Sequence, residues 1–350
     1  MTSKLVFLTG ATGLIGFRVL VFCLRNGYRV RVALRALSKK DVILQTQSIR
    51  ALSTESNLSF VEVPVFSSET AFDQSLQDVD FVIHVAAPIA SVAPGTIKTD
   101  LADHYTKSTT NAALNLLNAA QTHRTVKRIL FTSSLAALID YVTDSDATIH
   151  TETTRPVNIQ QPPYGSTFEA YTAAKVATLS RIEHWVASEK PAFDVVQMAP
   201  GHVFGPNELE NDPVELLRTG SNRIILAPVT GEAYNSEPGV TVHLDDVAEA
   251  HVRALHPSIP GNQLYILSSG GLNGTRLDEC LKIVARSFPE HVGETLPNNG
   301  SLPSSVFKVD ASESARILGI NFIPYEQQVR DTVGYYLECV GLRSTPTSLE

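Results

Sequence analysis

Near its start the chain runs Leu5-Val6-Phe7-Leu8-Thr9, then Gly10-Ala11-Thr12-Gly13-Leu14-Ile15-Gly16, before the apolar stretch Phe17–Leu24. An apolar strand that ends in spaced glycines and restarts as a helix aims several backbone N–H groups at one point. Glycine lets a pyrophosphate approach that backbone closely, and the positive end of the helix favours its charge. Thr9, Gly10, Thr12, Gly13, Leu14, Ile15 and Gly16 are therefore candidate positions for holding a dinucleotide. The spacing is G-x-x-G-x-x-G rather than the commoner G-x-G-x-x-G. A glycine turn that binds nothing is the bland alternative, and the strand–turn–helix context argues against it.

Strands and helices alternate through the first 200 residues. Tyr28–Leu34 reads as a strand, Ser38–Ser53 as a helix and Leu58–Val63 as a third strand. Asp80–Val85 is a nearly continuous apolar run, as expected for a strand covered on both faces. Asp100–Thr122 has helical periodicity, Arg128–Thr132 is another buried strand, Phe168–Ser188 a long helix and Val195–Met198 a further strand. Such alternation implies right-handed crossovers and a doubly wound parallel sheet, an α/β fold. Beyond residue 200 prolines at 206, 213, 228, 238, 257 and 260 punctuate shorter elements. This divides the chain into a core over 1–200, joined by segments around 240–256, a smaller substrate-binding lobe over 201–345, and a tail at 346–350.

With 43% hydrophobic residues, a chain of 350 can bury a large core. A net charge of −8 argues against nucleic acid and anionic membrane as partners. No apolar run reaches the ~20 residues of a membrane span. Cys23, Cys280 and Cys339 are too scattered for a disulfide framework or metal cluster. With no leader pattern visible, the expected compartment is the reducing cytoplasm. His243, His251 and His256 lack carboxylates at ligand spacing, so no metal is expected. His243 with Asp245 and Asp246 is expected to fix the junction between lobes. His84, inside an apolar strand, is expected to be a hydrogen-bonded core residue.

The chemical signal is Ser134 with Tyr171 and Lys175. Tyr171-Thr172-Ala173-Ala174-Lys175 puts a phenol and an ammonium on one helix face. Free tyrosine, with a pKa of about 10, is a poor acid or base at neutral pH. A nearby cation is expected to lower that value and let the phenol exchange a proton with a reacting oxygen. Phe131-Thr132-Ser133-Ser134 ends a strand at the carboxyl edge, where doubly wound sheets place their sites. Alone, each piece reads equally well as a cap or a solvated helix face; together and in this order they point to catalysis.

These residues resemble the extended short-chain dehydrogenase/reductases, and within them dihydroflavonol reductases, cinnamoyl-CoA reductases and NADPH-dependent aldehyde and ketone reductases. The resemblance spans nearly the whole chain, through TGATGLIG (9–16), VRVALR (30–35), DFVIHVAAP (80–88), RILFTSS (128–134), YTAAK (171–175), APGHVFGP (199–206) and VHLDDVAEAHVRAL (242–255). It implies a Rossmann-type fold in which Ser134 binds the substrate carbonyl, Tyr171 donates a proton, and Lys175 also holds the nicotinamide ribose. It further implies cofactor contacts at Val65, Ala86, Ala87, Pro88, Pro200, Gly201 and Val203. Asn111 is a candidate to anchor a relaying water, or else a helix-surface residue.

The implied cofactor is NADP(H). NAD-binding relatives end the second strand with an acid for the ribose hydroxyls, whereas here stand Leu34-Arg35, with Lys39 four further on. A guanidinium and an ammonium there suit a 2′-phosphate. The chain departs from the family pattern at Pro64-Val65-Phe66, where an acid near the adenine is usual, so backbone groups are expected to hold the adenine.

Loops at 88–99, 136–167 and 202–240 are expected to line the substrate pocket, with Ile89, Val92, Leu138, Tyr141, Tyr164, Phe168 and Phe204 among their side chains. Ile89, Ser134, Leu135, Tyr164, His202 and Phe204 are the candidate substrate contacts. An apolar, partly aromatic lining suits a bulky or aromatic ketone or aldehyde, reduced by a monomer or homodimer. Two alternatives stay open: an NAD-dependent nucleotide-sugar epimerase or dehydratase, and a dinucleotide-sensing regulator without turnover.

Overall fold

The computed structural model describes residues 3–52, 56–89, 100–141, 144, 147–218 and 220–342. Val92 of the expected pocket and the tail at 346–350 lie outside these residues. Seven strands form one parallel sheet: β1 (Leu5–Thr9), β2 (Arg29–Leu34), β3 (Leu58–Glu62), β4 (Phe81–His84), β5 (Arg128–Thr132), β6 (Asp194–Pro200) and β7 (Gln263–Leu267). Their order is β7-β6-β5-β4-β1-β2-β3, so the winding reverses between β1 and β4 and opens a crevice at the carboxyl edge. The longer helices are α1 (Leu14–Arg25), α2 (Ser108–Thr122), α3 (Thr167–Glu189), α4 (Asn222–Val229), α5 (Leu244–Arg253), α6 (Cys280–Ser287) and α7 (Tyr325–Cys339).

Successive strand residues face opposite sides of the sheet, and this sets the layers. Val6 and Leu8 pack with α1 and α5, whereas Leu5 and Phe7 pack with α2 and Ile182 of α3. A third cluster, with Phe204, Ile225, Val284, Phe288, Val333 and Leu337, is the core of the smaller lobe. His243 stands where this lobe meets the sheet. Its Nδ1 accepts from Asp245 N–H at 3.0 Å, so Nε2 carries the proton that Asp331 of α7 accepts at 3.1 Å. Arg18 of α1 then grips Asp245 through two bonds of 2.6 and 2.9 Å. Helix α1, which starts at the glycine turn, is thereby tied to the lobe.

Three elements differ from the sequence reading. The helix expected over 38–53 is broken into Leu37–Lys39, Lys40–Leu44 and Gln47–Arg50. Thr46 interrupts it: its hydroxyl donates to Ile43 C=O at 2.7 Å while its backbone is extended. The helix over 100–122 begins with a wider π-type turn, Ala102–Lys107, before α2. Strand β7 comes from Gln263–Leu267, well past the boundary read near 200, and pairs with β6 from Gln263↔Val196 to Leu267↔Pro200. The chain thus leaves the core and returns to it. Among the described residues no helix is long and apolar enough to cross a membrane, and the three cysteines are free thiols.

Candidate active site

The glycine turn is held by close backbone contact. Gly10 has φ +80°, and a Cβ there would sit 2.8 Å from Ala86 N. A Cβ on Gly16 would lie 2.1 Å from Gly10 O. The first helical bond of α1 runs from Phe17 N–H to Gly13 C=O, and no side chain caps the helix. The N–H groups of Leu14, Ile15 and Gly16 therefore have no carbonyl of an earlier turn to donate to. This cradle fits a pyrophosphate. Thr9 instead braces β1 against β4, its buried hydroxyl accepting from Ala86 N–H at 3.2 Å and pairing with His84 Nδ1 at 3.0 Å.

Arg35 and Lys39 are exposed, and among the described residues neither joins a salt bridge. Glu62, paired with Leu34 on the neighbouring strand, accepts from Leu37 N–H at 2.9 Å and so holds their loop. The arrangement presents two cations beside the crevice and suits a 2′-phosphate. Val65 is exposed, and Ala86, Ala87 and Pro88 are half-buried on the other side. Pro200 and Val203 are buried, and Gly201 N–H donates to Leu267 C=O at 3.1 Å.

The three chemical residues converge at the carboxyl edge. Thr132 stands opposite Met198 in the register of β5 and β6, so Ser134 emerges level with Pro200. Lys175 is buried, and its Nζ donates to Thr132 C=O at 3.2 Å and Ser133 C=O at 3.5 Å. Its ammonium lies 5.6 Å from the Tyr171 ring centroid. The Ser134 side chain lies close enough to the Tyr171 phenol to favour its ionised form. Burial nevertheless raises the phenol's pKa, with Ser134 working against it, and Lys175 does not reverse that direction. The expected lowering by lysine is thus corrected. Desolvation of the phenol outweighs the cation that lies over its ring, and Tyr171 is held protonated.

Burial also pushes Lys175 down from 10.5 to about 8. Between those values the unfolded chain holds a proton that the folded chain has lost, so the Lys175 contribution to stability rises with pH. In cofactor-free protein, the wild type should gain on Lys175→Met between pH 8 and 10.5, by at most about 3 kcal/mol. Denaturant unfolding at several pH values measures this, and a flat difference across the window refutes it.

Behind Lys175 lies a small cavity lined by His84, Thr109, Ser133, Thr178 and Gln197. About 20 Å³ of it is open to water centres, room for a single water. His84 is buried as expected, but among the described residues its Nε2 has no hydrogen-bond partner. Asn111, by contrast, is exposed on α2 and does not reach this cavity; Thr109, two residues earlier, lines it. The sequence signal for the cavity was Gln197, a lone polar residue inside the apolar strand Val195–Met198.

On the substrate side, Tyr164 and Tyr171 pack against the same buried cluster of Tyr105, Ala170 and Ala174, and Tyr164 hydrogen-bonds Thr106 at 3.3 Å. Ile89 is half-exposed, its carbonyl accepting from Tyr105 at 2.9 Å. Leu135 and Phe204, expected to contact substrate, are instead 1% and 0% exposed inside apolar clusters. Leu138 is likewise buried. The wall near Tyr171 is formed by Tyr141, whose ring meets Phe168 at 5.3 Å and Phe307 at 5.5 Å. His202 is half-buried and faces Glu237 across 3.5 Å. Glu237 escaped the sequence reading because it stands in a proline-broken loop with no periodic pattern.

A doubly wound sheet, a glycine cradle and a Ser-Tyr-Lys cluster define a dinucleotide-dependent enzyme scaffold. Residues 6–266 match the NAD dependent epimerase/dehydratase family, and the chain belongs to it. It is 35% identical to the ketoreductase CTB6 of Cercospora nicotianae, over 97% of this chain and 96% of that one. It is also 35% identical to the NAD-dependent epimerase/dehydratase ALT6 of Alternaria alternata, over 94% of this chain and 96% of that one. Among solved structures, the yeast methylglyoxal/isovaleraldehyde reductase Gre2 complexed with NADPH is similar at a TM-score of 0.80. Its sequence is 21% identical, covering 97% of this chain and 99% of that one.

Proposed function

We propose that this chain reduces a ketone or aldehyde on a bulky or aromatic small molecule to an alcohol, using NADPH. It is an NADPH-dependent oxidoreductase in which the cofactor, when bound, supplies the hydride. The observation that carries the reading is the convergence of Ser134, Tyr171 and Lys175 at the sheet edge beside the glycine cradle. As hydride adds to a carbonyl carbon, negative charge grows on the oxygen. Donors on Ser134 and Tyr171 aimed at that oxygen stabilise the transition state more than the ground state. Tyr171, kept protonated by burial, gives up its proton, and the Lys175 ammonium against its ring steadies the phenolate left behind. Ketoreductase and reductase relatives support the reaction type. Three free thiols suit the cytoplasm.

Arg35 supplies the test of cofactor choice. A charge-assisted bond to a 2′-phosphate contributes about 1.5–3 kcal/mol, less where exposure and salt screen it. Arg35→Ala should weaken NADPH binding about ten- to a hundredfold and barely change NADH binding. Lys39→Ala should cost less, because its ammonium is a point charge on a flexible stem. The measurement is kcat/KM with both cofactors and a panel of ketones graded by size. A wild type that prefers NADH, or an Arg35→Ala variant that loses both cofactors equally, overturns the assignment.

A further inference from the structure

Within electrostatic reach of Tyr141, which also reaches Tyr171, lies a polar pair in which one buried nitrogen has no hydrogen-bond partner among the described residues. His202 opens the short strand after β6, its ring stacked on Phe204 with centroids 6.3 Å apart. Glu237 comes from the opposite side, on a three-residue strand paired with Ser304–Val306. His202 Nε2 and Glu237 Oε2 are 3.5 Å apart, and Nε2 is buried with no hydrogen-bond partner among the described residues. Among the described residues no lysine or arginine pairs with Glu237. Burial holds the imidazole down at about 4 and lifts the carboxyl to about 7, so the two do not form a charged pair at neutral pH.

Tyr141 links this pair to the reacting end of the pocket. Its phenol lies within electrostatic reach of both Tyr171 and Glu237, and its ring sits among Phe168 and Phe307. Tyr141 and its aromatic neighbours thus stand near both Tyr171 and a polar pair whose imidazole nitrogen lacks a partner. Ligand pockets of this kind read one polar group on an otherwise apolar molecule. A phosphate or carboxylate would be repelled by Glu237. A hydroxyl suits both partners: it donates to the Glu237 carboxylate and accepts from Nε2–H of the neutral imidazole.

We propose that His202 and Glu237 anchor a hydroxyl carried by the substrate away from its reacting carbonyl, making the preferred substrate a hydroxylated ketone with an aromatic body. The inference rests on the carbonyl-reduction reading of the same pocket and narrows its substrate class. The pair acts in positioning: it touches no reacting atom but sets which ketone reaches Tyr171 in register.

The test uses an aryl alkyl ketone with a ring hydroxyl remote from the carbonyl, its methyl ether, and its amino counterpart. With wild-type enzyme and NADPH, kcat/KM for the hydroxyl compound should exceed that for the ether by about five- to a hundredfold, mainly through KM. Glu237→Met and His202→Leu should collapse that ratio towards one, and Glu237→Gln, which keeps an acceptor oxygen, should restore part of it. A variant that slows both ketones in proportion, leaving the ratio as in wild type, overturns the anchor. So does a wild-type ratio near one, or a preference for the amino compound. Calorimetric titration of the same compounds reads the anchor without turnover. Preferential binding of the hydroxyl compound with no NADPH oxidation keeps the anchor and overturns carbonyl reduction. Turnover of both ketones with equal affinity keeps carbonyl reduction and overturns the anchor.

Discussion

Tyr171→Phe is expected to lower turnover by about 10²–10⁴-fold, the usual worth of a general acid, while NADPH affinity stays nearly unchanged. The substitution removes one oxygen and keeps the ring. That ring packs edge-on against Tyr105 with centroids 6.4 Å apart, and the Lys175 ammonium lies 5.6 Å from its centre. Both contacts survive in phenylalanine, so the fold and the lysine stay in place. What is lost is the phenol that burial keeps protonated beside Ser134. Ser134 then becomes the sole side-chain donor to the growing oxyanion, and no group remains to deliver the proton. Steady-state kinetics with NADPH and an activated ketone, paired with a fluorescence titration of the cofactor, separates the two effects. A variant retaining most of its turnover would remove Tyr171 from the chemistry.

Much of the scaffold was legible because its signals are local. An apolar run ending in Gly10, Gly13 and Gly16 can be read without knowing what packs on it, and the run at Arg128–Thr132 became β5 with the same limits. The Tyr171–Lys175 spacing fixes a shared helix face whatever surrounds it. Harder to read was anything decided by a distant partner. Leu135 and Phe204 are apolar residues in site-forming loops, and their sequence does not say whether substrate or a core claims them. In the structure Leu135 is claimed by a cluster with Leu179 and Ala199, and Phe204 by the smaller lobe. Strand β7 was missed for a related reason: after a proline-rich excursion, only tertiary pairing with β6 shows that the chain has returned. The pKa of Tyr171 turned on how far the folded chain buries the phenol, which spacing along a helix does not carry. Glu237 meets His202 from 35 positions away, with no periodicity to advertise it.

The largest effect on cofactor binding is expected from the glycine turn, and two of its glycines should fail in different ways. At Gly16 an added Cβ would lie 2.1 Å from Gly10 O and 2.5 Å from Gly10 C, both backbone atoms of the same turn. Gly16→Ala must therefore open the turn, costing about 1–3 kcal/mol of stability and dispersing the N–H groups of Leu14, Ile15 and Gly16. At Gly13 the fold makes no such demand. Its backbone is extended, with φ −120° and ψ 165°, and an added Cβ would meet only Gly10 O, at 3.6 Å. Any residue could stand there if nothing were bound, so the glycine at this exposed position is best explained by close approach of a ligand. Gly13→Ala should leave the unfolding midpoint near wild type yet weaken NADPH by about a hundredfold or more. Each charge-assisted N–H bond to the pyrophosphate contributes about 1.5–3 kcal/mol, and holding the phosphates away stretches several at once. Thermal unfolding without cofactor, together with cofactor titration of both variants, distinguishes the two mechanisms. If Gly13→Ala binds NADPH as wild type does, the cradle does not hold the pyrophosphate, whatever the catalytic residues do.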